Sequence, residues 1–427
     1  MHQTIRTGIK LLFSVLLTLA LIEVGLRLFP MVIPLELLVN FEQTPRAQIA
    51  RRLGLPTKWD TVTLPRDDNG PELRIFKPYS RINTRIKDTH TTNSVVLDEQ
   101  GFCNPPENSY RRPAIDIITL GDSFTFCHAV QPEQTWSAYL GQHTPYSVYN
   151  LGKIAIGIHE YLQIFKHFGL QKSPKFVVLN VYEGNDLRDA ANNYYYQTDP
   201  AHQTPVLPPA VTPLQTVKNT LFEHSYSANL AAAWITTLQK SSANDQTDRR
   251  SPEKKHSARN DINFQYSLVF NDQPPIPFNP ENTDLDEVQY AQRLYNEELD
   301  PGIFWSIDQA FKEFAKLAEQ HHFTPIITYT PSAHTAYADN VLFEDPNLTN
   351  LMPWFSREQR AFLQKEAAKY GFVFVDHTPA LQTAARAGGP DSLLYYRYDL
   401  HLTPAGHAVV GQNISRAITE LAATQQK

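Results

Sequence analysis

Cysteine is nearly absent from this chain: Cys103 and Cys127 are the only two in 427 residues. Neither belongs to a Cys-x-x-Cys pair, and no Cys/His cluster has the spacing of a zinc site. There is no phosphate loop ending in Gly-Lys-Ser/Thr, no Gly-x-Gly-x-x-Gly and no His-Glu-x-x-His. The sequence therefore carries no nucleotide, dinucleotide or metalloprotease signature, and neither a cofactor nor a metal is expected. An excess of positive charge is missing too. The net charge of −6 removes the electrostatic case for nucleic acid as a partner. Glycine is scarce beside proline, 17 against 31, which favours stiff, irregular connections over flexible linkers. No internal repeat is found. The chain does have 42% hydrophobic and 11% aromatic residues, enough for a sizeable core in one large domain with additions or in two domains.

The long apolar run is N-terminal. Arg6 and Lys10 precede LLFSVLLTLALIEVGLRLF at 11–29, and the uninterrupted stretch ends at Ile22 because Glu23 and Arg27 follow. That is short for a spanning helix and long enough for a signal segment. No small-x-small cleavage site and no lipid-attachment cysteine lies nearby. The expectation is an uncleaved signal anchor over residues 1–30, with Arg27 snorkelling to the far interface. Basic residues ahead of the run place the bulk of the protein outside the cytoplasm, membrane-anchored in the periplasm or at the cell surface. A cleaved signal peptide is the alternative, and a buried N-terminal helix of a cytoplasmic protein is the third reading.

Further along, short apolar runs recur at Ala114–Leu120, Ser147–Leu151, Lys175–Tyr182, Phe323–Thr330 and Phe372–Asp376. Helical spacing separates most of them, as over Gly302–His322, and Ser356-Arg-Glu-Gln reads as a capping box opening a helix to Tyr370. Another strand is expected at Ser94–Leu97. Buried strands alternating with helices predict an α/β/α sandwich with a five-stranded parallel sheet. Residues 31–113 read as an N-terminal extension packing on a catalytic domain over 114–427. An insertion at about 190–300 interrupts that domain. Its middle, Lys240–Asn263, is polar enough to read as a mobile loop, with helices such as Leu230–Leu238 beside it packing on the main domain.

Chemistry-bearing residues fall at the strand ends. AIDIITLGDS at 114–123 delivers Ser123 to a tight turn after a buried strand, where ligands bind in open α/β sheets. Asn150-Leu151-Gly152 ends the second run, with Gly157 close behind. Gly184-Asn185-Asp186 follows the third. Asp399-Leu400-His401 lies near the C-terminus, and Gly406 opens the last helix. A serine needs a base to become a nucleophile, and an imidazole needs a partner that fixes its tautomer. Ser123, His401 and Asp399 are the candidates for those roles. The N–H of Ser123, a backbone N–H in the stretch Gly152–Gly157, from Gly152, Ala155 or Gly157, and the Asn185 amide are candidate oxyanion donors. Asp122 and Asp186 read as structural, and His128 as a solvated loop histidine. If the His401 imidazole is unperturbed, activity rises through roughly pH 6–7.

These blocks resemble the SGNH, or GDSL, hydrolase superfamily. Gly121-Asp122-Ser123 is similar to its first block, the turn after Asn150 to its second, YEGNDL at 182–187 to its third and DLHLTPAGH at 399–407 to its last. The resemblance spans about 114–420. It is strongest to the bacterial, membrane-anchored type, which also carries an N-terminus like LIEVGLRLF, a turn like Gly101-Phe102 and a GDSFTF block. It implies a flavodoxin-like fold and metal-free ester hydrolysis or acyl transfer. Ser123 would be the nucleophile, His401 the base and Asn185 an oxyanion donor. Two positions depart from the pattern. Tyr398 stands where many members have the triad acid, with Asp399 one residue later, so a Ser123–His401 dyad assisted by a backbone carbonyl is open. Ala155 stands where the second block commonly has glycine.

Cys103 and Cys127 flank this region in a chain expected to meet an oxidising compartment, so a disulfide and two buried free thiols are both open. The leading functional expectation is an extracytoplasmic serine esterase acting on O-acyl, above all O-acetyl, esters of envelope or exported polysaccharide. An O-acyltransferase on glycans is the first alternative. A non-catalytic carbohydrate-binding or scaffold protein is the alternative of another class.

Overall fold

The computed structural model describes residues 2–34, the positions 37, 41, 45, 48, 49, 52 and 53, and residues 61–198 apart from 69. It also describes 221–235 apart from 223, 262–296 apart from 271 and 272, and 301–425.

The five apolar runs become one parallel sheet. Its strands are β1 (Ile117–Leu120), β2 (Val148–Asn150), β3 (Phe176–Tyr182), β4 (Thr324–Thr330) and β5 (Val373–Asp376), in the order β2-β1-β3-β4-β5. Every neighbouring pair is parallel. β1 and β3 are buried at every position, which is why they read as continuous apolar runs rather than alternating ones. The helices are α1 (His2–Leu28), α2 (Trp136–His143), α3 (Ile158–Ile164), α4 (Asp186–Thr198), α5 (Leu285–Tyr295), α6 (Pro301–His321), α7 (Leu348–Lys369), α8 (Thr378–Gly388) and α9 (Pro404–Gln425). α2, α8 and α9 pack together as one layer. α3, α4 and α6 pack as another, with α7 against α6. Right-handed crossovers place these layers on opposite faces of such a sheet. The chain leaves β1 for β2 on one side and reaches β3 on the other. The crevice beyond the C-terminal ends of β1 and β3 is therefore the switch point where this topology binds ligands.

Three expectations change. α7 begins two turns before Ser356 and runs through Pro353. Leu348, Leu351, Met352 and Phe355 are buried at helical spacing, and this apolar stripe outweighs the cap signal. Ser356 is itself buried and donates to Glu183 Oε2 at 3.0 Å instead of capping. The expected strand near Ser94 is Thr91–Val96, paired antiparallel with Arg81–Ile86.

The second change concerns organisation. The chain divides into one compact unit of residues 1–60 with 205–255 and a larger one of 61–204 with 256–427. No division falls at 113, and the 190–300 insertion is shared between the units. Of the expected loop at Lys240–Asn263, all but residues 262 and 263 lie outside the described residues. The helical residues 226–235 belong to the smaller unit.

The third change is the anchor. Among the described residues no helix is long and apolar enough to cross a membrane. α1 is helical, but its C-terminal turns carry charge. Arg27 pairs with Glu23 at 2.8 Å. The Glu23 carboxylate also accepts the N–H groups of Tyr226 and Ser227, at 3.0 and 2.9 Å. Leu26, Ile33, Leu37, Phe41 and Ile49 form this unit's core with Tyr226 and Ala233.

Cys103 and Cys127 form a disulfide, with Cα atoms 6.0 Å apart and both residues buried. It ties the segment after Gly101-Phe102 to the segment that follows Ser123. Closing a loop of 24 residues constrains the unfolded chain by about 3 kcal/mol. Denaturant melts with and without reductant are expected to differ by that amount, and coincident curves would count against the bond.

Candidate active site

The turn after β1 is held by its own aspartate. Asp122 is buried, its Oδ1 accepts the Phe124 N–H at 2.8 Å, and its carbonyl accepts the N–H groups of Thr125 and Phe126. Burial, with Asp189 nearby, pushes its carboxyl up to about 7. The Trp136 indole donates to the Phe124 carbonyl at 3.0 Å. The backbone N–H of Trp136, at the start of α2, meets His407 Nδ1 at 3.2 Å. Burial pushes the His407 imidazole down to about 3, so it is a neutral acceptor there. Ser123 is thus presented by a turn whose neighbours are all fastened.

His401 arrives from the other end of the chain. The loop 394–403 is closed by the Tyr395–Leu402 bridge and by Thr403 N–H donating to the Leu394 carbonyl. Gly406 lets α9 start against it, because a Cβ there would lie 2.2 Å from the Leu394 oxygen. Leu400 holds a φ of 59°, a left-handed conformation that turns the chain between Asp399 and His401. The result brings His401 Nε2 to 2.8 Å from Ser123 Oγ. Nδ1 lies 2.9 Å from the Asp399 backbone oxygen and 3.8 Å from its carboxylate Oδ1. A carbonyl only accepts, so Nδ1 carries the hydrogen and Nε2 is the acceptor for the serine hydroxyl.

The Asp399 carboxylate is shared. Oδ1 accepts the His401 backbone N–H at 3.2 Å, and Oδ2 lies 3.5 Å from His128 Nε2. Burial raises the Asp399 carboxyl, but His128 and His401 outweigh it and hold it below the usual range. Burial, then the His128 ring, push the His401 imidazole below its ordinary range. The acid limb expected near pH 6–7 from an unperturbed ring is therefore displaced downward. His128 is no solvated loop histidine: its ring centroid is 3.9 Å from that of His401. Phe124 stacks on His401 at 4.8 Å and on Tyr182 at 3.6 Å.

Not all the expected oxyanion donors are available. The Ser123 N–H has no partner among the described residues. Asn185 Nδ2 donates one hydrogen to Asp189 Oδ2 at 3.0 Å and keeps a second. The N–H of Gly152 instead donates to Asn150 Oδ1 at 2.8 Å, and that of Gly157 to Glu160 Oε2 at 3.2 Å, where it caps α3. Both leave the donor set. Gly152 has a packing role, since a Cβ would sit 2.8 Å from the Phe126 nitrogen and crowd the nucleophile turn. Ala155 has a φ of 57°, which explains why glycine suits that position. Asp186 is structural. It accepts the Tyr182 N–H at 2.7 Å and the Tyr161 hydroxyl at 2.5 Å, and its carboxyl is raised by burial.

Ser123, Asn185 and His401 line a cavity of about 380 Å³. Its remaining wall mixes apolar Phe124, Leu285 and Leu400 with the polar Arg188, Asn282, Thr283, Asp284 and Glu287. The last four come from the 190–300 insertion, and no motif marked them. The signal available was turn chemistry: Asn282 and Asp284 both hold positive φ. Asp189, which orients Asn185, also escaped sequence reasoning. The wall is anchored behind by buried groups. Glu287 Oε1 accepts from Ser332 at 2.7 Å and lies 3.0 Å from His334 Nε2. Glu183 lies 3.9 Å from the same nitrogen and accepts from Tyr329, Thr335 and Ser356. Burial lowers the His334 imidazole, but the bond to Glu287 outweighs it and the net shift is upward. Among the described residues two groups could hold an ion by spacing, His128/Asp399/His401 and Glu183/Glu287/His334. In the second, both carboxylates already accept from hydroxyls.

No family model matches the chain, and no curated protein does. Solved structures do. The acetyl xylan esterase AlAXEase is 13% identical over 71% of this chain and 100% of its own, with a TM-score of 0.35. Axe2, an acetylxylan esterase from Geobacillus stearothermophilus, is 13% identical over 71% of this chain and 93% of its own, with a TM-score of 0.34. A protein of the G-D-S-L family from Desulfitobacterium hafniense DCB-2 is 14% identical over 71% and 98%, with a TM-score of 0.32.

Removing the His334 imidazole takes from Glu183 and Glu287 the buried partner that both face. His334→Ala is expected to cost roughly 3–5 kcal/mol of stability. A thermal melt within a degree of the parent protein would refute that role.

Proposed function

We propose that this protein is a serine esterase that removes short O-acyl groups, above all O-acetyl, from envelope or exported polysaccharide. The observation that carries this reading is the 2.8 Å contact between Ser123 Oγ and His401 Nε2, with the opposite ring nitrogen held by Asp399. His401 takes the hydroxyl proton as Ser123 attacks the ester carbonyl. The Ser123 N–H and the second Asn185 hydrogen receive the oxyanion. The imidazolium is stabilised by the Asp399 carbonyl and, at longer range, its carboxylate. It then protonates the leaving alcohol, and water repeats the sequence on the acyl-serine. The cavity wall of Asn282, Thr283, Asp284 and Arg188 suits a polyhydroxylated alcohol rather than a long acyl chain.

A second cavity, of about 730 Å³, meets the first at Asn185 and Arg188. It offers an acceptor sugar room beside an acyl-serine, and it favours O-acyl transfer to a glycan as the second reading. An extracytoplasmic location is supported by the Cys103–Cys127 bond, which suits an oxidising compartment, and by Arg6 and Lys10 before the apolar run.

Ser123→Ala and His401→Ala are each expected to lower kcat/KM on short acetyl esters by at least about 10⁴-fold, since the pair acts as a unit. A fluorophosphonate should label Ser123 alone. Asp399→Asn should cost far less, because the bond that fixes the tautomer comes from its backbone. Labelling at another serine, or turnover surviving in His401→Ala, would overturn the assignment.

The pH dependence follows from the sign of the shift. His401 must be neutral to accept a proton, and its imidazole is depressed. Activity should rise with pH through a limb lying below the ordinary imidazole value of about 6.5. A limb at or above that value in the kcat/KM profile would contradict the burial argument.

A further inference from the structure

We propose that His128 is a positioning residue, which holds the Asp399 carboxylate beside His401 so that one carboxylate serves two imidazoles. The inference rests on Ser123 and His401 being the reacting pair, and it adds a group that neither the sequence blocks nor the expected triad contains.

Its footing is geometric. His128 Nε2 lies 3.5 Å from Asp399 Oδ2, while Oδ1 of the same carboxylate faces His401 Nδ1 at 3.8 Å. The two rings are 3.9 Å apart at their centroids. The loop that carries His128 is fastened on both sides. Cys127, immediately before it, is tied by the disulfide to Cys103. Ala129, immediately after it, holds a φ of 60°, and its carbonyl accepts the Tyr396 hydroxyl at 3.1 Å. The Val130 carbonyl accepts from Asn93 Nδ2 at 2.8 Å. A histidine confined this way is held against Asp399 rather than left to solvent.

The division of labour follows from charge. In the resting site the Asp399 carbonyl is enough to keep the proton on Nδ1. Once His401 takes the serine proton its ring is a cation, and a full negative charge nearby stabilises it better than a carbonyl dipole does. A neutral His128 donating from Nε2 keeps Oδ1 turned toward that cation. The other titratable groups facing this cluster are Tyr396 on the same loop, His407 on α9 and Asp284 before α5. They are unchanged by a substitution at 128.

Two variants test the proposal, with 4-nitrophenyl acetate as probe. His128→Phe keeps an aromatic ring and loses the donor. His128→Gln keeps a donor and cannot become a cation. In His128→Phe, kcat should fall roughly 10–100-fold with KM little changed, because the carboxylate is misplaced. His128→Gln should recover most of that loss. In His128→Phe the acid limb of kcat/KM should move downward by at least about half a pH unit, because the carboxylate that stabilises the His401 cation is misplaced, and in His128→Gln it should return toward the parent value. A purely structural role would leave the limb where it is. Ser123→Ala is assayed beside them. Turnover surviving in Ser123→Ala overturns the reading of the site and this proposal with it. Loss in Ser123→Ala with an unmoved limb in His128→Phe overturns this proposal alone.

Discussion

The Asp399 backbone oxygen can accept a hydrogen bond and cannot donate one, so the His401 nitrogen 2.9 Å from it must bear the hydrogen. That single constraint sets the direction of proton flow through the site. It leaves the far nitrogen free to accept, and Ser123 Oγ is 2.8 Å away. The carboxylate of Asp399 is then released from orienting the ring and lies between two imidazoles instead. The left-handed turn at Leu400 makes this possible, because it folds the Asp399 carbonyl back toward the ring two residues later.

The sheet brings the partners together. β1 and β3 lie side by side while their connections depart to opposite sides, and the crevice this opens receives the Ser123 turn and the Gly184-Asn185 turn. α9 supplies the third approach. It packs against α2, and His407 within it receives the first N–H of α2. The last block thus fixes the helix that follows the nucleophile as well as delivering His401.

The polar side of the cavity is built from a segment outside the recurring strand–helix pattern. Asn282, Thr283 and Asp284 approach the site on the lead-in to α5, and Glu287 within α5 is pinned from behind by Ser332 and His334. Buried carboxylates survive there because hydroxyls and one imidazole satisfy them.

The five strands, their parallel arrangement and the serine, asparagine and histidine at their ends were legible in the sequence. Buried strands leave continuous apolar runs, and tight turns demand particular residues next to them. Those are local signals, carried by neighbours in the chain. The two glycine N–H groups are taken by near neighbours, Asn150 two residues before Gly152 and Glu160 three residues after Gly157, local turn and cap contacts that the block pattern does not mark. The sequence did not place His128 against Asp399, residues separated by most of the domain. The start of α7 was misread because a capping pattern at Ser356 competed with a buried apolar stripe, and only packing decides such a contest. Local chemistry thus determined which residues stand at the strand ends. Tertiary structure alone decided that His401 meets Ser123 and that His128 meets Asp399, because those contacts join residues far apart in the chain that no local pattern links.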